Sequence, residues 1–203
     1  MDQNSIIVDD NLLTVKEQEY IKTCFTNPFF PWYVGENLTA TNPTYIENHF
    51  KKLTSNIFEY TQFVHTFVQD GTDVSSAADI PLMIFDRAIE KYQLNDKLLR
   101  IKANFCTKIH TDLIDGHHSP HIDDNDEHWA MIYYVNNSDG DLFLFDECVP
   151  MYKELTTVSS LTVKQRITPK QGRCVIFDGH RLHAGMHPTD QNYRMVINFN
   201  IKK

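Results

Sequence analysis

The chain has 203 residues, 41% hydrophobic and 23% charged, the make-up of an ordinary globular protein rather than a disordered or fibrous one. Nineteen basic against 27 acidic residues leave a net charge of −8, which opposes a non-specific grip on nucleic-acid phosphates. No apolar run approaches the ~20 residues that span a bilayer. The opening MDQNSIIVDDNLLTV has neither the basic start nor the apolar stretch of a secretory signal, so a cytoplasmic location with no membrane contact is expected.

The four cysteines, Cys24, Cys106, Cys148 and Cys174, are scattered and form no CxxC, as reduced cytosolic thiols do. With no repeat, linker or low-complexity tract, residues 1–203 read as one domain. In chain order, Thr14 and Glu17 form a capping box opening an amphipathic helix in TVKEQEYIKTCF. The prolines of NPFFPWYVG stop it, and the aromatic cluster there suits a short strand or a packed loop. TYIENHFKKLTSNIFEYTQFVHTFV shows no clean period. DIPLMIFDRAIEKYQ spaces Leu82, Phe85, Ile89 and Tyr92 by three or four, the period of a helix. Residues 1–97 therefore read as a mainly helical support region.

From residue 98 the period becomes two. LLRIKANFCTK sets Leu99, Ile101, Ala103 and Phe105 against Arg100, Lys102, Asn104 and Cys106. HWAMIYYVN, DLFLFDE, LTTVSSLTVKQ, RCVIFDG and YRMVINFNIK are short, rich in β-branched and aromatic residues, and bounded by turn formers. The expected fold is mainly β with flanking helices (α+β), the helices lying against an antiparallel double sheet over residues 98–203.

The chemistry concentrates in SPHIDDNDEHW. His121 and Asp123 stand two apart, so on a strand both side chains meet at one point. A metal needs a third donor, and CVIFDGHRLHAGMHP offers His180, His183 and His187. Two histidines and a carboxylate make the facial set of non-haem iron(II) oxygenases, with positions left open for cosubstrate and dioxygen. The last strand alternates Met195, Ile197 and Phe199 against Arg194, Val196 and Asn198, the second set pointing toward the metal. An arginine there is costly unless it pairs with an anion, and its planar fork suits a carboxylate. His117 and His118 read as solvated loop histidines, and Asp124, Asp126 and Glu127 as an acidic turn.

Taken together, SPHIDDNDEHWAMIYYVNN, DGDLFLFDE, PKQGRCVIFDGHRLHAGMHP and YRMVINFNI resemble the 2-oxoglutarate and iron(II)-dependent dioxygenases, and most their prolyl 4-hydroxylase-like branch. The resemblance covers roughly residues 98–201. It implies a double-stranded β-helix, or jelly-roll, core and the cofactors Fe(II), 2-oxoglutarate and dioxygen. It implies that His121, Asp123 and His183 hold the metal, with His187 in reserve. Arg194 would grip the distal carboxylate of 2-oxoglutarate, helped by Tyr134, and Asn104 would be a polar cosubstrate contact. Val196 stands where relatives often carry serine. The implied reaction is hydroxylation of a C–H bond, with succinate and carbon dioxide released, on a prolyl residue of a peptide or protein or on a small amino acid. Two rivals remain at this stage: a nucleic-acid base demethylase or hydroxylase, which the charge of −8 opposes, and a catalytically silent jelly-roll binding module, which would need none of these residues.

Overall fold

The structure, a computed structural model, describes residues 2, 4–35, 44–58, 60–111 and 116–203. Two antiparallel sheets lie face to face. The larger has the order β1 (Ile7–Asp9), β9 (Cys174–Asp178), β6 (His128–Tyr134), β11 (Tyr193–Lys202), β5 (Leu98–Thr107), β3 (Gln62–Gln69) and β2 (Tyr33–Gly35), with β4 (Thr72–Asp73) paired to β3. The smaller has the order β10 (Arg181–Gly185), β7 (Leu142–Cys148) and β8 (Val163–Ile167). This is the expected jelly roll with flanking helices.

Strand alternation divides the apolar residues into layers. Ala130, Ile132 and Tyr134 of β6, Leu142 and Leu144 of β7, Val175 and Phe177 of β9 and Val196 of β11 fill the space between the sheets. The opposite faces of β6 and β11 carry Trp129, Met131, Tyr133, Met195, Ile197 and Phe199. These pack against helices α1 (Val15–Phe25) and α3 (Asp79–Tyr92) through Ile21, Phe25, Ile84, Phe85 and Ala88. Phe143 and Phe145 point away from β7's inner face and meet Ile46 and Phe50 of α2 (Thr44–Leu53) and Leu155 of a 3-10 turn at Tyr152–Thr157. The outward set predicted for the last strand is thus the helix-packed one.

The capping box is present. Thr14 N–H donates to Glu17 Oε2 at 2.7 Å and Glu17 N–H donates to Thr14 Oγ1 at 3.4 Å. Two readings were incomplete. Residues 1–97 hold helices α1, α2 and α3 but also β3, which runs eight residues and joins the core sheet beside β5. Its pattern was hidden because Gln62 and His65 are buried polar residues, His65 being bonded through its ring to Pro31 O and Ser75 Oγ. LTTVSSLTVKQ is not one strand, since its first part belongs to the 3-10 turn and only Val163–Ile167 is β. Among the described residues, no helix is long and apolar enough to cross a membrane.

Candidate active site

His121 forms an isolated antiparallel bridge with His183. His121 N–H donates to His183 O at 3.0 Å and His183 N–H donates to His121 O at 3.1 Å. Residues paired in this way project side by side, and the two rings stand 4.5 Å apart. Asp123 lies in a bend beyond the bridge, so one bridging residue and a bend replace the strand expected for the H-x-D pair. Donor atoms of His121, Asp123 and His183 all fall within 4.8 Å of one another, with His183 Nε2 3.6 Å from Asp123 Oδ2.

Each ligand candidate is oriented from behind. His121 Nδ1 contacts Ser119 O at 3.0 Å and His183 Nδ1 contacts Arg181 O at 3.1 Å. A carbonyl needs a donor, so both Nδ1 atoms carry the proton and both Nε2 atoms are left as ligands. Arg100 Nη2 donates to Asp123 Oδ1 at 2.8 Å, and Asn200 Nδ2 donates to Oδ2 at 3.1 Å. Burial would raise the Asp123 carboxyl, but Arg100 and then the two histidines hold it well below the usual carboxylate range. It stays ionised, as a ligand must. His180 is elsewhere, its ring against Asn125 O at 3.2 Å. His187 also stands apart, its Nδ1 bonded to Thr107 O at 2.8 Å. Arg100 and Asn200 had no role in the sequence reading. They sit opposite each other in the β5–β11 register, and that register is what aims both at one carboxylate.

The inner face of β11 extends from this cluster. Asn200, Asn198, Val196 and Arg194 follow at every second position, and Val196 lies level with Asn104 on β5 and Tyr134 on β6. His121, His183, Asn104, Val196, Asn198 and Arg194 line one cavity. Arg194 is buried, its guanidinium carbon 5.7 Å from the Tyr134 ring centroid and its Nε without a partner. Gly140 makes room for it, since a Cβ there would lie 2.8 Å from Arg194 Cδ. The Tyr134 hydroxyl is fully buried beside Arg194; burial pushes it up to about 12, and the Arg194 guanidinium opposes this. Val196 lines this cavity, and Asn198, two residues on, supplies a polar group to it.

The donor set fits iron(II): two imidazoles and one carboxylate on one side, with the rest of the coordination sphere facing a cavity. The far end fits a dicarboxylate, since the buried Arg194 Nε has no acceptor and the buried Tyr134 hydroxyl has only Arg194 beside it. A family model described as the 2OG-Fe(II) oxygenase superfamily matches residues 97–202, just over half of the chain. The chain belongs to this superfamily. Its members use Fe(II), 2-oxoglutarate and dioxygen, so this oxygenase is an oxidoreductase. No curated protein matches it in sequence. Among solved structures it is similar to a prolyl hydroxylase from Trichoplax adhaerens in complex with a hypoxia inducible factor oxygen degradation domain peptide fragment. The identity is 12%, the match covers 98% of this chain and 84% of that one, and the TM-score is 0.58. It is also similar to the non-heme alpha ketoglutarate dependent epimerase SnoN from nogalamycin biosynthesis, at 9% identity, 98% and 78% coverage and a TM-score of 0.56. These likenesses establish the shared fold.

The structure also revises the loop before the H-x-D pair. His117 and His118 are not solvated but 4% and 5% exposed, and residues 112–115 lie outside the described residues. His118 and Cys106 line the same cavity as the iron ligand candidates. Burial would raise the Cys106 thiol, but His118, His187 and then Arg194 bring it down to about 5.

Proposed function

We propose that residues 1–203 act as one oxygenase domain that hydroxylates a C–H bond of a prolyl residue in a peptide or protein, or of a small amino acid. Fe(II) is held by His121 Nε2, the Asp123 carboxylate and His183 Nε2. Arg194 and Tyr134 would hold the distal carboxylate of 2-oxoglutarate, and Asn104 would supply a polar contact to it. Bound there, iron with dioxygen supplies the oxidation, one oxygen atom entering the substrate and the other leaving in succinate as 2-oxoglutarate loses carbon dioxide.

The protein's part is orientation. Arg100 and Asn200 keep Asp123 ionised and fixed, the carbonyls of Ser119 and Arg181 set the two imidazoles, and the apolar walls Ile132, Leu142 and Val196 keep bulk water from the reacting centre. The observation that carries the reading is the placing of His121, His183 and Arg194 around one cavity, the histidines at one end and the unpaired cation at the other. The peptide bound to the Trichoplax relative supports a peptidyl substrate, and the charge of −8 favours it over a polynucleotide.

The test is incubation of the full chain with Fe(II), 2-oxoglutarate and air, together with prolyl peptides, free amino acids or single-stranded oligonucleotides. Succinate release coupled to a gain of one oxygen on a peptide or amino acid is expected, and Asp123→Ala should abolish it. Oxidation of the oligonucleotides alone would assign the base-modifying rival. An iron-loaded protein that makes no succinate with any of the three would leave the silent binding module.

A further inference from the structure

A second group of donors lies beside the first. Cys106 ends the inner face of β5, in register with Arg194. His118 comes from the segment before the H-x-D pair, its N–H donating to Gly185 O at 2.9 Å. His187 follows β10, and its Nδ1 contact to the Thr107 carbonyl at 2.8 Å leaves Nε2 facing inward. One donor atom from each lies within 4.8 Å of the others. All three residues are buried, at 2%, 5% and 0% exposure. His187 Nε2 has no partner other than the Cys106 thiol that it faces. The two rings meet edge to face at 5.0 Å and are walled by Phe58, 5.3 Å from His118, and Tyr60, 5.6 Å from His187.

A thiol paired with one imidazole would make a self-sufficient ion pair. A second buried imidazole turned onto the same sulfur is not needed for that pair. One sulfur and two imidazole nitrogens are a soft-to-borderline set, the kind that selects zinc over magnesium or calcium. We propose that Cys106, His118 and His187 form a second metal site, for zinc or a zinc-like divalent ion, beside the cosubstrate cavity.

Tetrahedral bonds of about 2.0 Å to nitrogen and 2.3 Å to sulfur put donors about 3.3–3.6 Å apart, so donor atoms that now lie within 4.8 Å of one another close by no more than about 1.5 Å. Zinc with one thiolate carries a net charge of +1 next to the Arg194 cation. The fourth position faces the cavity, where Gln62 Oε1 lies 3.9 Å from the sulfur. With that charge balance it favours an anionic donor such as a carboxylate or hydroxide. The proposal shares no ligand with the iron site and does not rest on the hydroxylase reading.

The test is titration of the reduced, metal-stripped full chain with Co(II) under argon. Sulfur-to-cobalt charge transfer reports only a cysteine ligand, so the iron site cannot produce it. Two equivalents are expected to bind, one of them with the charge-transfer band, and Zn(II) should bleach that band. Cys106→Ser and His187→Gln should each remove the band and lower the stoichiometry from two to one. His121→Ala should keep the band and lose the other equivalent, and Cys148→Ser should change nothing. A folded wild-type chain that develops no band overturns the proposal, as does a band that survives in whichever of Cys106→Ser and His187→Gln retains its circular dichroism.

Discussion

Replacing Arg194 by methionine separates the cost of this residue from its use. The side chain is 5% exposed, its Nε is unpartnered, and no carboxylate among the described residues pairs with it. A buried cation that meets no carboxylate weakens the fold relative to an apolar group of similar volume. Without 2-oxoglutarate, Arg194→Met should therefore unfold at the wild-type temperature or above it. With 2-oxoglutarate the order reverses. Losing one partner of a buried charge pair costs about 2–5 kcal/mol, or about thirtyfold to several-thousandfold in affinity. The assay is thermal unfolding of the Mn(II)-loaded protein with and without 2-oxoglutarate. At a hundred times its dissociation constant the ligand adds about 2.7 kcal/mol to wild type. In a chain of this size that raises the unfolding temperature by about 5–11 °C. Arg194→Met should show no such rise at the same concentration. A full wild-type shift in the variant, or a large fall in its unliganded stability, would refute the assignment of Arg194 as the carboxylate anchor.

His183→Ala should lower bound iron sharply while His187→Ala leaves it near wild type, read by iron content after gel filtration; the opposite result would move the distal ligand. Asp10 accepts from Arg173 Nε at 2.7 Å and Nη2 at 3.1 Å and from Lys170 Nζ at 2.8 Å, and these bonds hold its carboxyl down to about 2. A depressed carboxyl stabilises above its unfolded value and loses that contribution as pH falls toward 2. Asp10→Asn should therefore be less stable than wild type by about 1 kcal/mol at pH 7, discounted for partial exposure, with the difference vanishing between about pH 4 and pH 2 in denaturant titrations. A Cβ at Gly140 would lie 2.4 Å from Met186 O, so Gly140→Ala should cost about 1–3 kcal/mol and weaken 2-oxoglutarate binding, as calorimetry would show. Thr14→Ala removes the capping box and should lower stability by about 1 kcal/mol in the same denaturant assay.

The parts of this site that were legible in sequence are those set by strand alternation. Arg194 was placed on the inner face by the period of two and Tyr134 by the family resemblance, and the structure puts both against the inter-sheet space. His121 and Asp123 were legible as a two-residue spacing, although a single bridge and a bend hold them in place of a strand. β3 was illegible because its buried positions include Gln62 and His65, whose polarity breaks the pattern a half-buried strand should show. Arg100 and Asn200 were visible as polar-face residues, but their meeting at Asp123 depends on a register a hundred residues apart in sequence. The Cys106, His118 and His187 group has no spacing to find, because it assembles from a strand end and two loops.

The His121–His183 bridge also sets which changes of chain length the site can absorb. Opposed residues in an antiparallel pair share a face, and a slip of one residue turns a side chain to the other face. One residue inserted between His121 and Asp123, or between Arg181 and His183, would throw a ligand candidate away from its partners even though every chemical group survived. An insertion in the exposed run at Asn125, Asp126 and Glu127 lengthens only a turn. The chain can thus lengthen at this exposed turn, while the spacing of the bridge and its ligand candidates stays fixed.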